Sequence, residues 1–323
     1  MTNGHRNADI NELVRAGAGE LKADLVITNG NLVNVATAEI YPADVAIFGA
    51  TIVAVGDVLP HTGDGTRVVD AAGRYLTPGL IDGHLHMECS KLSVTSLAKL
   101  LVPLGTTSVI SGLDQILVVA GLRGVREFLD EAEATALKVF WGAPCKTPYT
   151  IPTSTVGYYF GPEDHHVSQQ WPECIGVWET VREFVQEEDA AVLAAIQIAR
   201  QNRLLVFGCA PMSRGLALSS YLSAGIRLDH ESYDAAESLE KLRNGMFLGI
   251  RESSFAHFLK ENIRVITRDV PSAARRVSFC TDDVSASDIL ERGHLDNLIR
   301  MAVDEGVDPV VAVQMATINC AEA

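Results

Sequence analysis

The run IDGHLHMECS, residues 81 to 90, sets His84 and His86 one residue apart and Glu88 two positions further on. On an extended strand side chains repeat every two residues, so both imidazoles share a face and reach one ion. Alone, such a pair reads more readily as ordinary surface or core histidines than as a metal site. Here, however, chemically versatile residues recur at the ends of later apolar runs: Glu179, Cys209, His230 with Glu231, Arg251 with Glu252, and Asp282 with Asp283. Imidazole and carboxylate ligands suit divalent zinc, iron or manganese, and an open coordination position lets the ion bind water and lower its pKa toward neutrality. The pattern therefore predicts a hydroxide nucleophile held by one or two metal ions per chain. Asp282 fits as a ligand that also takes the proton of that water, with Asp283 and Glu231 as candidate substrate-binding partners. By itself the Thr-Asp-Asp stretch at 281–283 also reads as a helix N-cap.

Something must bring these scattered positions together. Candidate strands at 80–84, 107–111, 137–142, 174–178, 204–208, 226–229, 246–250 and 277–281 alternate with helix-like segments. Eight strand-and-helix pairs predict an α/β fold of the (β/α)8 type, in which chemistry gathers at the carboxyl ends of the strands. An open doubly wound sheet has the same periodicity and is the competing architecture. Ahead of it, residues 1–75 read as a short amphipathic helix and a small β-domain, with a hairpin signal at Asn29-Gly30 and a tight turn at Gly49. The domain boundary falls between 75 and 76, leaving 76–323 as the barrel.

The proline-containing stretch 147–173 has little periodicity and is expected to act as a lid or substrate loop. His165 and His166 within it are expected to face solvent. His294 is expected to anchor the helix after the eighth strand, and Trp141, Trp171 and Trp178 to pack, with Trp178 placed to wall the pocket.

Charge narrows the function classes. Lys plus Arg number 26 and Asp plus Glu 41, a formal charge of −15, which would repel phosphate backbones and anionic membranes. The N-terminus has no apolar signal region, and no apolar run approaches the roughly 20 residues that span a bilayer. Six cysteines lie scattered with no Cys-x-x-Cys pair, as expected of reduced thiols and a cytoplasmic protein.

The blocks PGLIDGHLHMECS, LVPLGTTSVI, APCKTPYTIPTS, GCAPMSRGLALSSYLSAGIRLDHES, FCTDD and GHLDNLIRMAVDEGVDPVVAVQMATIN occur in an order that resembles the amidohydrolase superfamily and, within it, the bacterial adenine deaminases. The resemblance implies a metal-dependent TIM barrel with a small β-sandwich-type domain. It implies that His84, His86 and Asp282 hold one metal, that Glu179 bridges in place of a carbamylated lysine, and that His230 binds a second metal. Glu88 and Asp283 would face substrate. Three departures stand out. Cys209 replaces a histidine and is either a thiolate ligand or no ligand at all. Asp114 and Gln115 replace a His-Glu pair after the second strand, which leaves adenine itself open as substrate. The sequence stops at MATINCAEA, where the family continues, so association with a second chain or a further copy is expected.

The function implied is hydrolytic: water attacks an sp² carbon bearing nitrogen, and ammonia or an amine leaves. Deamination of an aminated N-heterocycle leads, with ring C–N or cyclic-amide hydrolysis second. A catalytically silent subunit of a two-chain assembly is the alternative of a different class.

Overall fold

The structure, a computed structural model, describes residues 8–149 and 157–323. Two compact units divide between Pro78 and Gly79, slightly beyond the boundary expected from sequence.

The N-terminal unit begins with the helix Ile10–Gly17, capped by the Asp9 carboxylate and the returning Glu12 side chain. Its five-stranded sheet is built from β1 (Leu25–Asn34), β2 (Glu39–Phe48), β3 (Thr51–Gly56), β4 (Arg67–Asp70) and β5 (Tyr75–Leu76). The turn at Gly49 joins β2 to β3, as the sequence suggests. The Asn29-Gly30 dipeptide does not turn the chain. It lies inside β1 as a bulge, where the register against β2 shifts between Ile27 and Gly30 and Asn29 takes a φ of 56°. A side chain at Gly30 would collide with Leu76 at 2.3 Å, so the glycine serves close strand packing rather than a hairpin.

In the second unit eight parallel strands run in sequential order: β6 (Leu80–Asp82), β7 (Thr106–Ser111), β8 (Lys138–Pro144), β9 (Cys174–Val181), β10 (Leu205–Cys209), β11 (Leu228–Asp229), β12 (Phe247–Arg251) and β13 (Val277–Cys280). Helices such as Val94–Leu101, Asp114–Glu133, Ala190–Asn202, Ala235–Arg243 and Leu295–Asp304 lie between or after them. Their apolar stripes pack on the outward faces of the strands, with Leu97, Leu101, Val109 and Val139 in one cluster and Leu248, Leu298, Phe279 and Met315 in another. The open-sheet alternative is excluded by the seam: just past β6 and β13 the amide of Asp282 donates to the His84 carbonyl at 2.8 Å, and the His86 amide donates to the Asp282 carbonyl at 3.1 Å. The barrel is thus drawn shut by the residues expected to bind metal.

Of the 147–173 stretch, 150–156 lie outside the described residues. The remainder contains the helix Pro162–Ser168. His165 is buried rather than solvent-facing, its Nε2 3.2 Å from the Cys145 carbonyl and its Nδ1 3.0 Å from the Gln169 amide. The helix turns it inward against Phe160, while His166 is exposed, as expected.

Candidate metal centre

The ends of β6, β9, β11 and β13 deliver polar side chains to a common point. Nε2 of His84 lies 3.0 Å from Oε1 of Glu179 and 3.5 Å from Oδ1 of Asp282. Nε2 of His86 lies 3.4 Å and 3.3 Å from the same two atoms, and Nε2 of His230 lies 3.5 Å from Glu179 Oε1. Three overlapping groups have ligand atoms within 4.8 Å of one another: His84, His86 and Asp282; His84, Glu179 and His230; His230, Glu231 and Asp282.

This donor set fits a divalent cation. The Nε2 atoms of His84 and His86 face each other at 3.4 Å, a pairing of two nitrogens that a cation between them and the two carboxylates would reconcile. The protonation pattern agrees. Burial pushes His86 down, but the nearby carboxylates of Asp114, Asp282 and Glu179 outweigh it and raise its pKa well above the usual value. Burial acts against Glu179 as well, yet the imidazoles of His84 and His86 hold its carboxyl well below the ordinary range. Asp282 is lowered by the same histidines, against its own burial. A protonated imidazole thus supplies the positive charge that a cation would bring. His84 takes the other course: burial and the neighbouring His230 push its pKa down to about 4.

Local backbone aims these groups. Glu179 and Asp282 have φ of 48° and 59°, in the left-handed region where side-chain-bearing residues are uncommon, and both lie where a strand ends. His84 stacks on Trp178 with ring centres 3.9 Å apart and on His230 at 3.6 Å. His230 is oriented by its Nδ1, 3.1 Å from the Gly208 carbonyl. Trp178 therefore packs on the His84 ring and is fully buried there, rather than walling the substrate pocket.

Asp283, Gln115 and Cys209 line an adjacent cavity of about 500 Å³ whose apolar wall includes Val118, Val119 and Val181. The Cys209 thiol belongs to none of the three ligand groups. Burial and the adjacent Glu179 raise its pKa well above the usual value, and the residue lines the cavity. Glu231 is drawn to Arg251, whose Nη1 also lies 2.5 Å from Asp282 Oδ2. Burial and the neighbouring Asp114 push Glu88 up to about 7, and one of its oxygens accepts the Gln115 amide at 3.1 Å. Glu252 pairs with His257 at 2.6 Å and belongs to none of the ligand groups.

Several supporting residues escaped sequence reasoning. Asp82 accepts the amides of His84 and Thr281 at 3.1 and 3.3 Å, and the Thr281 hydroxyl at 2.6 Å. His294 braces it from below, 3.2 Å from Asp82 Oδ2, while its Nδ1 meets the Thr106 hydroxyl at 2.9 Å. His294 therefore supports the seam besides heading its helix. Asp82 could have been found, since it continues the same two-residue alternation as His84 and His86. Lys241 could not: it is fully buried and binds Asp229, Glu237 and the carbonyls of Ala210 and Glu231, fixing the exits of β10 and β11, yet it sits in an unremarkable amphipathic helix.

Comparison with known proteins agrees with this geometry. Adenine deaminase 4 of Rhizobium meliloti is 61% identical over 317 residues, covering 98% of this chain and 53% of that protein. Adenine deaminase of Moorella thermoacetica is 37% identical over 313 residues, 96% of this chain and 52% of that protein. The chain spans about half the length of these curated relatives. Among solved structures, an adenine deaminase superposes with a TM-score of 0.58 at 17% identity, covering 93% of this chain and 84% of the other. A dihydroorotase gives 0.60 at 15%, covering 92% and 82%. These two likenesses establish the fold. The family model for the amidohydrolase family matches residues 75–323, the whole barrel, and the chain belongs to that family.

Proposed function

We propose that this chain carries the hydrolytic centre of an enzyme that deaminates an aminated N-heterocycle, as the relatives named adenine deaminase suggest. The observation that carries the reading is the convergence of His84, His86, Glu179, His230 and Asp282 beside an apolar cavity. One or two divalent cations, zinc, iron or manganese, would be held by these five residues and would supply the Lewis acidity that makes water nucleophilic near neutral pH. Asp282 takes the proton of the attacking water and delivers it to the departing nitrogen. Its second oxygen, held by Arg251, keeps the carboxylate oriented for both transfers. Overall, one water adds to the ring carbon, the C–N bond breaks and ammonia leaves. The valine wall excludes solvent from a flat ring, and Asp283 and Gln115 are polar groups of the cavity available to bind its edge, with Glu88 accepting the Gln115 backbone amide beside them.

The test is ammonia release from adenine and related amino-heterocycles by cation-loaded protein, with Glu179→Ala as the blank. Ring opening of cyclic amides without ammonia would favour the second reading, C–N hydrolysis within a ring. Cation binding with no turnover on either class would sink both and leave a silent subunit.

Association with a further copy or a second chain is part of this proposal, in a reducing cytoplasmic setting that its free thiols suit. It is supported by the exposed apolar residues Ile52, Val55, Val68 and Tyr75 on the N-terminal sheet. A monodisperse monomer in light scattering would count against it. No helix among the described residues is long and apolar enough to cross a membrane.

A further inference from the structure

The pair Asp114 and Gln115 stands where the sequence suggests a substrate-reading role, but the two side chains point to different tasks. Gln115 is exposed at the cavity mouth, whereas Asp114 is 5% exposed and turned toward the centre. Its Oδ2 lies 2.9 Å from Nδ1 of His86, somewhat off the N–H axis, and its Oδ1 accepts the Tyr149 hydroxyl at 2.6 Å. The turn that presents it is tightly specified. Leu113 adopts a left-handed φ of 50°, and a side chain at Gly112 would strike the Trp178 indole at 2.3 Å and Asp114 Oδ1 at 2.8 Å.

From this geometry we infer that Asp114 is a positioning residue for the metal ligand His86, and that Tyr149 in turn holds Asp114. A carboxylate 2.9 Å from Nδ1 favours the tautomer that carries its proton on that nitrogen, which presents the Nε2 lone pair to the cation and raises the basicity of the ligand. Tyr149, on the segment following β8, fixes the other carboxylate oxygen, so the aspartate cannot rotate away toward substrate. Heterocycle recognition at this strand exit is thereby left to Gln115.

The inference rests on the metal-centre reading, and the experiment separates the two. Cation affinity of the apo chain is measured by competition with a chromophoric chelator, and the visible spectrum of the cobalt-loaded protein reports the ligand field. Asp114→Asn is expected to weaken binding roughly ten- to a hundredfold and to shift the cobalt bands. Tyr149→Phe is expected to weaken it roughly two- to tenfold, with no added loss in the double variant beyond that of Asp114→Asn. Arg123→Ala, exposed on the same helix, controls for general perturbation, and circular dichroism confirms that each variant is folded. Unchanged affinity and spectrum in folded Asp114→Asn would overturn the inference alone. A wild-type chain that binds no cation would overturn it together with the metal centre.

Discussion

His86 has a carboxylate at its far nitrogen, whereas His84 is clamped between the flat rings of Trp178 and His230, and His230 leans on a backbone carbonyl. One side of the centre is therefore governed by charge and the other by packing. The titration behaviour divides along the same line: His86 is pushed to the protonated form, while buried His84 is pushed to the neutral one. Two kinds of damage should consequently have different reach. Removing a charge should disturb the first side without loosening the barrel, and removing volume should loosen the barrel along with the second.

Glu179 joins the two sides, since its Oε1 faces all three imidazoles. Glu179→Ala should therefore have the largest effect on function, lowering cation affinity by on the order of a hundredfold or more. Retention of a full cation complement after dialysis would show that the sides act independently. On the packing side, Trp178→Ala should cost about 3–5 kcal/mol of stability in urea unfolding, because the indole is fully buried and stacked on a ligand. A loss below 1 kcal/mol would deny that packing holds His84.

A buried neutral imidazole away from the centre sharpens the contrast. Burial lowers His165 to about 4 from its usual 6.5. In the pH window between those values the unfolded chain takes up a proton that the folded chain refuses, so stability falls as pH drops from about 6.5 to 4, by up to about 3 kcal/mol. His165→Gln should remove that part of the slope, read as the difference between wild-type and variant denaturation midpoints across the window. An identical slope in both would refute the assignment. The smallest effect belongs to Cys209→Ser, which should leave cations per chain unchanged by elemental analysis. Loss of one cation would make the thiol a ligand and the charge-supported region larger than drawn above.

The strand exits were legible because each couples an apolar run to a polar residue that a surface would not require. Six such couplings, set among eight alternating strand and helix runs, made the barrel legible beside the open-sheet alternative, with strand positions shifted by only a few residues. What stayed hidden depends on geometry that periodicity does not encode. Asp114 acquires its role from a left-handed turn at Leu113, and Asn29-Gly30 changes from turn to bulge because Leu76 crowds it. His165 lies in a stretch with weak periodicity, so the helix that buries it left no readable face. Lys241 is invisible for a different reason. A lysine in an amphipathic helix nearly always points to water, and only the closeness of Asp229 and Glu237 pulls this one inside.

The seam between β6 and β13 ties assembly to chemistry. Because the backbone bonds that close the barrel run through His84, His86 and Asp282, the same segments that shut the ring of strands carry three of the candidate ligands. A growing chain that has made the first seven barrel strands has most of the ligands but no clasp to gather them. The arrival of the eighth adds Asp282, which completes two of the three ligand groups. The bound ion would then act as a rivet across the joint, so that stripping it should loosen the first and last strands before any others.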